Sequence, residues 1–166
     1  SLDVGKPIRD ARAVDVPLAI NTTRWYAEAL DKVYGEVGAS PVDRLSYAVH
    51  EPLGVIGAIV PWNFPLHMAM WKVAPALAMG NSVVLKPAEQ SPLTALKLGE
   101  LALEAGLPAG VLNVIPGLGG VAGEALALSN DVDMIAFTGS GPVGRRLMEY
   151  SARSNLKRVS LELGGK

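Results

Sequence analysis

FTGSGPVGRR, from Phe137 to Arg146, joins an apolar run to a stretch with helical character. Gly139, Gly141 and Gly144 spell G-x-G-x-x-G across the junction, and an acidic residue, Glu162, follows eighteen positions after the last glycine. In a dinucleotide fingerprint such glycines permit a tight turn and close approach of a pyrophosphate, and the acidic residue holds a ribose. The motif carries that meaning only inside a strand–turn–helix unit of a parallel sheet, so the flanking sequence must repeat the unit.

It does. Apolar, β-branched runs recur at VIGAIV, SVVLK, VLNVI, MIAFT and RVSLEL, with starts 23 to 29 residues apart. Gly, Pro or Asn bounds most of them, as strands require. Helical stretches fill the intervals. In SPLTALKLGELALEAGLPAG, Ser91 is placed to cap, Pro92 to open the first turn, and Gly106 and Pro108 to stop the helix. Parallel strands need crossovers of this length, so five units predict a doubly wound α/β domain with helices on both faces. Numbered from Val55, the strands are expected in the order 3-2-1-4-5. The first fifty residues differ. PLAINTTRWYAEALDKVYG reads as an amphipathic helix with Ile20, Trp25, Ala29 and Leu30 on one side, and GEVGASPVDRLSYAVHEP as a hairpin leaving the domain body.

Composition narrows the function classes. The net charge is −1 with 19% charged residues, which leaves no basic surplus for a phosphate backbone and argues against nucleic acid. The chain has no cysteine, hence no disulfide, thiolate metal site or cysteine nucleophile of its own. VIGAIVPW is short and MAMWKVAPALAMG is broken by Lys72 and Pro75, so neither is expected to cross a membrane. The chain opens on Ser1, and an excised piece of a longer protein is expected.

The chemically unusual residues fall at strand ends. They are Trp62 and Asn63 after the first strand, Lys86 and Glu89 after the second, Gly119, Gly120 and Gly123 after the third, Gly139 and Ser140 after the fourth, and Glu162 and Leu163 at the end of the fifth. Open α/β sheets bind ligands outside these carboxyl ends, so five such coincidences on one rim predict a site. Each residue also has a bland reading. Asn63 and Ser140 suit helix caps, Lys86 and Glu89 suit a solvated surface, and the glycines suit a tight turn with close helix–strand contact. His50 and His67 lack metal-ligand spacing, and no metal site is expected. Glu162 is harder to explain away, because central parallel strands are apolar on both faces. A carboxylate there faces a solvated edge or a cleft.

Together PWNFP, GNSVVLKPAEQSP, EAGLPAGVLNVIPG, IAFTGS and LELGGK, with LDVGKP near the start, resemble the aldehyde dehydrogenase superfamily in order and spacing. RWYAEALDKVYGEV is most similar to its aminoaldehyde branch, including γ-glutamyl-aminobutyraldehyde and betaine-aldehyde types. The resemblance implies a variant Rossmann site for NAD in which GSGPVG is not a true fingerprint. Gly139 and Ser140 would then meet the pyrophosphate at a helix start, with Val143 and Leu163 also at the cofactor. Glu89 beside Lys86 would hold the adenosine ribose. Trp62 would line the cofactor groove, and Gly119 and Gly123 would bound the adenine end.

The resemblance further implies that a cysteine thiolate attacks a small aldehyde while the Asn63 amide holds the oxyanion, and that Glu162 activates water to hydrolyse the thioester. Residues 1–33 and 52–166 would form an incomplete NAD-binding domain, and 34–51 an oligomerisation arm. The cysteine and the catalytic domain would lie outside this chain, which alone should be inactive. The parent is expected to be a cytoplasmic homo-oligomer. Two other readings compete. A short-chain dehydrogenase needs Tyr-x-x-x-Lys, and none of the four tyrosines has a lysine four positions on. A non-enzymatic interaction module suits the chain taken alone, and an NAD titration separates it from the enzyme reading.

Overall fold

The computed structural model describes residues 1–165, so Lys166, which ends LELGGK, lies outside them. The chain begins with a helical turn α1 (Ile8–Asp10), a π-type turn (Ala11–Asp15) and helix α2 (Val16–Ala29). A hairpin follows, β1 (Glu36–Gly38) pairing antiparallel with β2 (Ser46–Ala48). The βα cycle then runs β3 (Val55–Ile59), α3 (Pro65–Ala78), β4 (Ser82–Lys86), α4 (Leu93–Glu104) and β5 (Leu112–Val114). It closes with a π-type turn (Gly119–Gly123), α5 (Glu124–Leu128), β6 (Met134–Gly139), α6 (Gly141–Ala152) and β7 (Arg158–Leu163).

The sheet order is β5-β4-β3-β6-β7, and every pairing is parallel. Numbered from Val55, that is the expected order 3-2-1-4-5. The crossovers step outward from β3 through β4 to β5, then return to β6 on the other side. The carboxyl ends of β3 and β6 therefore lie side by side where the order reverses, with Ile59 opposite Phe137.

Strand alternation divides the core in two. Ile56, Ala58, Val83 and Leu85 pack under Ala69, Val73 and Ala76 of α3 and Ala95 of α4. On the other face Ile135 and Phe137 meet Leu126 and Ala127 of α5 and Leu147 of α6. Helix α2 docks on α3 through Ala19, Met70 and Ala74, with Tyr26 beside them, whereas Ile20, Trp25 and Leu30 of the expected apolar side are exposed. The hairpin pairs only with itself in the sheet topology, and each residue from Leu30 to Leu53 is exposed.

Two helix ends show where local reading succeeds and fails. Gly106 stops α4 as expected, with φ +91°, while the Leu107 N–H reaches back to the Ala102 carbonyl at 2.9 Å. The start of α4 corrects the expectation for Ser91. That side chain is fully buried and its Oγ has no hydrogen-bond partner among the described residues. The cap comes instead from Asp3, 90 residues away, whose carboxylate accepts the Leu93 N–H at 3.1 Å and the Thr94 N–H at 3.0 Å. Asp3→Ala is expected to destabilise the chain by about 1 kcal/mol. For a domain of this size the midpoint of a thermal melt should fall roughly 2–4 °C. Ser91→Ala should not lower it.

Candidate functional site

The G-x-G-x-x-G glycines separate when their surroundings are considered. A Cβ at Gly139 would sit 2.4 Å from Cζ of Phe137, and one at Gly144 would sit 2.8 Å from Cδ2 of Leu163. A side chain at either position would push against those neighbours within the chain. Gly144 lets α6 lie close against β7. Only Gly141 is unconstrained, with nothing nearer than Arg145 Nη1 at 3.9 Å. Helix α6 starts without a side-chain cap, because the Ser140 hydroxyl makes no capping bond. The expectation of Ser140 as an ordinary cap is therefore corrected. Its first backbone N–H groups and the positive end of its dipole stay available, which fits a pyrophosphate.

Between this helix and the Gly119–Gly123 turn lies a hollow of about 150 Å³, lined by Gly119, Gly123, Val143, Arg146, Leu147 and Tyr150 among others. The Lys86 stem reaches the same turn, its Cδ 3.9 Å from where a Gly123 Cβ would stand. Lys86 Nζ donates to the Pro87 carbonyl at 2.9 Å and to Glu89 Oε2 at 3.3 Å. The lysine side chain is 3% exposed and the carboxylate 42%. Lys86 is thus no solvated surface charge. A hydrogen bond from its own backbone N–H, supported by Lys86, holds the Glu89 carboxyl below the usual carboxylate range against the opposing effect of burial.

Glu162 lies elsewhere. Along β7, Val159 and Leu161 pack with the α5–α6 layer, so Arg158, Ser160 and Glu162 face the opposite side of the sheet. They line an open groove of about 600 Å³ beside Trp71, Lys72 and Pro75 of α3. In the β6–β7 register Thr138 stands directly opposite Glu162. Lys72 Nζ donates to Thr138 Oγ1 at 2.7 Å. Lys72 is 9% exposed, and burial pushes its ammonium below the usual lysine range, opposed by the charge of Glu162. Sequence reasoning placed Thr138 at the end of the fourth strand without giving it a role, and passed over Lys72 as a site residue. The available signal was a lone lysine inside the apolar stretch MAMWKVAPALAMG.

The loop after β3 carries Trp62 and Asn63. Asn63 is not the cap of α3, whose N-cap is Phe64 without a side-chain bond. Its side-chain amide is exposed and makes no hydrogen bond among the described residues, while its backbone carbonyl accepts from Lys6 Nζ at 3.2 Å. Trp62 is exposed and lines a separate hollow of about 260 Å³ with Asp3, Val4 and Gln90. Leu163 ends β7, and the adjacent Gly164 N–H reaches the Gly139 carbonyl at 3.3 Å. The structure thus gathers Gly119, Gly123 and Val143 at one hollow with Lys86 and Glu89 beside the turn. It sets Glu162 on the other face and Trp62 at a third surface.

A parallel sheet whose order reverses between β3 and β6, with an uncapped helix start at that reversal, defines a doubly wound domain of the nucleotide-binding kind. The chain belongs to the aldehyde dehydrogenase family, whose model matches residues 1–166. It is 58% identical over 166 residues to the NADP/NAD-dependent aldehyde dehydrogenase PuuC of Escherichia coli (strain K12), covering all of this chain and 34% of that protein. It is 55% identical, at the same coverage of both, to aminoacetaldehyde dehydrogenase of Pseudomonas aeruginosa. A crystal structure of indole-3-acetaldehyde dehydrogenase complexed with NAD+ superposes with a TM-score of 0.97 at 58% identity, over 99% of this chain and 33% of that one. The chain therefore spans about a third of the length of the relatives it matches.

Proposed function

We propose that this chain supplies the dinucleotide-binding part of an NAD-dependent aldehyde dehydrogenase, with Asn63 as oxyanion donor and Glu162 as general base. The observation supporting this most directly is the division of labour between two carboxylates. Glu89 follows β4 and lies against Lys86 near the Gly123 turn, whereas Glu162 faces Thr138 and Lys72 across the sheet from that hollow. A ribose ligand belongs after the second strand of such a fold, which is where Glu89 stands.

When bound, NAD supplies the hydride acceptor. The start of α6, with Gly139 and Ser140, would hold its pyrophosphate, and Glu89 with Lys86 its adenosine ribose. Gly119, Gly123 and Val143 would bound the adenine end, with Trp62 and Leu163 along the remaining length. A cysteine thiolate from outside these 166 residues attacks the aldehyde carbon, since none of them is cysteine. The Asn63 amide donates a hydrogen bond to the oxygen as it becomes an oxyanion. After oxidation to the thioester, Glu162 takes a proton from water as its oxygen attacks the acyl carbon. Lys72 and Thr138 place a cation and a hydroxyl near that carboxylate, which strand alternation sets on the groove side of β7. The carboxylic acid leaves as the thiolate is restored.

The substrate class is proposed as an aminoaldehyde, on the likeness to aminoacetaldehyde dehydrogenase and on RWYAEALDKVYGEV. Residues 34–51 would act as an oligomerisation arm, supported by an exposed hairpin that carries Val37, Leu45 and Tyr47 outward. The rest of the chain would form the incomplete cofactor domain, in a homo-oligomeric, cytoplasmic parent. Alone, it should oxidise no aldehyde.

Calorimetric titration tests the reading. Saturable binding of NAD by this chain, weakened by Glu89→Gln, is expected. NADP should bind less well, because its 2′-phosphate meets Glu89 with a repulsion of about 1 kcal/mol or more, roughly fivefold in affinity. Lys86 softens that preference. Absence of saturable binding, or equal affinities in Glu89→Gln and the parent sequence, would remove the cofactor assignment.

A further inference from the structure

We infer that Lys6 is a positioning residue that fixes the Asn63 amide, an inference resting on the assignment of Asn63 as oxyanion donor. Lys6 precedes Asn63 by 57 residues, yet its ammonium is held at the loop that carries the asparagine. Nζ donates to Asp15 Oδ2 at 2.6 Å and to the Asn63 carbonyl at 3.2 Å, and it lies 3.7 Å from the centre of the Phe64 ring. The cation is thus anchored on one side by a carboxylate and presented on the other to two consecutive residues of the loop. A ring face below an ammonium is a further attractive contact.

The anchor is built into the fold. The Lys6 and Asp15 side chains are 20% and 14% exposed, so water screens their attraction less than at an open surface. Asp15 closes the π-type turn Ala11–Asp15. A turn of this kind adds a residue to the helix and re-aims the side chains that follow it, and it recurs at functional sites. The second oxygen of Asp15, Oδ1, is buried and has no partner among the described residues, which leaves Lys6 as that carboxylate's only hydrogen-bond donor there.

The loop needs such an anchor. Pro61 and Pro65 bracket Trp62, Asn63 and Phe64, and neither has a backbone N–H to tie the segment down. Helix α3 begins without a side-chain cap. Among the described residues, the hydrogen bond from Lys6 is the only one on the Asn63 carbonyl. An oxyanion donor acts only when it waits at the place where charge develops, and an error of about 1 Å can cost a hundredfold.

The test is a double-mutant cycle in the full-length enzyme containing this segment, read as single-turnover NADH formation at saturating NAD. Lys6→Met should slow that step about tenfold. The dissociation constant for NAD should not change, and Lys6→Arg, which keeps the charge, should recover part of the rate. In an Asn63→Ala background Lys6→Met should cost less than about twofold, because no amide remains to position. A tenfold loss in both backgrounds would mean a general structural role and would overturn the inference. If Lys6→Met gives no cooperative melt, Asp15→Asn carries the same cycle with the same expectation. Should Asn63→Ala slow the step while neither partner variant does, the inference alone fails. Should Asn63→Ala leave the rate unchanged, the oxyanion assignment fails and takes the inference with it.

Discussion

Glu162→Gln in the full-length enzyme should leave a rapid burst of NADH and then slow turnover by about 10²- to 10⁴-fold. The first turnover survives because attack by the thiolate and loss of hydride do not draw on this carboxylate. Turnover then slows at the thioester because glutamine cannot accept the proton from water. Affinity for NAD should stay near that of the parent sequence, since Glu162 lies across the sheet from the glycine hollow. Stopped-flow absorbance of NADH, with equilibrium binding of NAD, reads both quantities. The competing outcome is specific. If G-x-G-x-x-G with Glu162 were a true fingerprint, the variant would lose NAD affinity and keep its rate of hydrolysis.

Asn63→Ala is expected to have its effect one step earlier. Removal of one preorganised oxyanion donor typically costs about 10²- to 10³-fold, so the burst itself should slow by that factor while NAD affinity is retained. Asn63→Asp keeps the shape and replaces the donor by a carboxylate facing a developing negative charge, and should be no faster. Rapid-quench measurement of acyl-enzyme formation checks both variants. A normal burst in Asn63→Ala, with the loss confined to the aldehyde Michaelis constant, would make this side chain a ground-state contact and not an oxyanion donor. The two substitutions therefore fail in distinguishable ways. One delays NADH formation, and the other permits it once.

The sheet was legible because its evidence is periodic. Five apolar runs at crossover spacing leave few topologies, and the observed order β5-β4-β3-β6-β7 is the expected one. The alternation of Arg158, Ser160 and Glu162 with Val159, Leu161 and Leu163 also marked β7 as a strand with one polar face. Contacts made across long sequence separations were not legible. Ser91 has the composition and position of a cap, yet it is buried, and Asp3 performs the task from the start of the chain. No local rule names a partner so distant.

The candidate site divides along the same line. Residues beside strand ends, such as Lys86, Glu89 and Ser140, were identifiable because their place in the fold follows from order alone. Lys72 and Thr138 become a pair only once α3 lies over the sheet and β6 registers against β7. Gly139 and Gly144 stood out by their spacing, which suggested a ligand, and packing adds a second reason: a Cβ there would crowd side-chain atoms of Phe137, Leu161 and Leu163.

The capping of α4 by Asp3 also sets an order of events during synthesis. Ribosomes add about 5–20 residues per second, so a carboxylate 90 residues ahead of its helix waits on the order of 5–20 s for it. For most of that interval α2 has no α3 to cover Ala19, because α3 is complete only at Ala78. Closing so long a loop is entropically only modestly worse than closing a short one, since each doubling of length costs about 0.6 kcal/mol. The delay is therefore one of timing more than of final stability. Until the chain has passed Ala78, a nascent protein of this sequence carries a helix with no surface to rest on, and that is when a chaperone would find it.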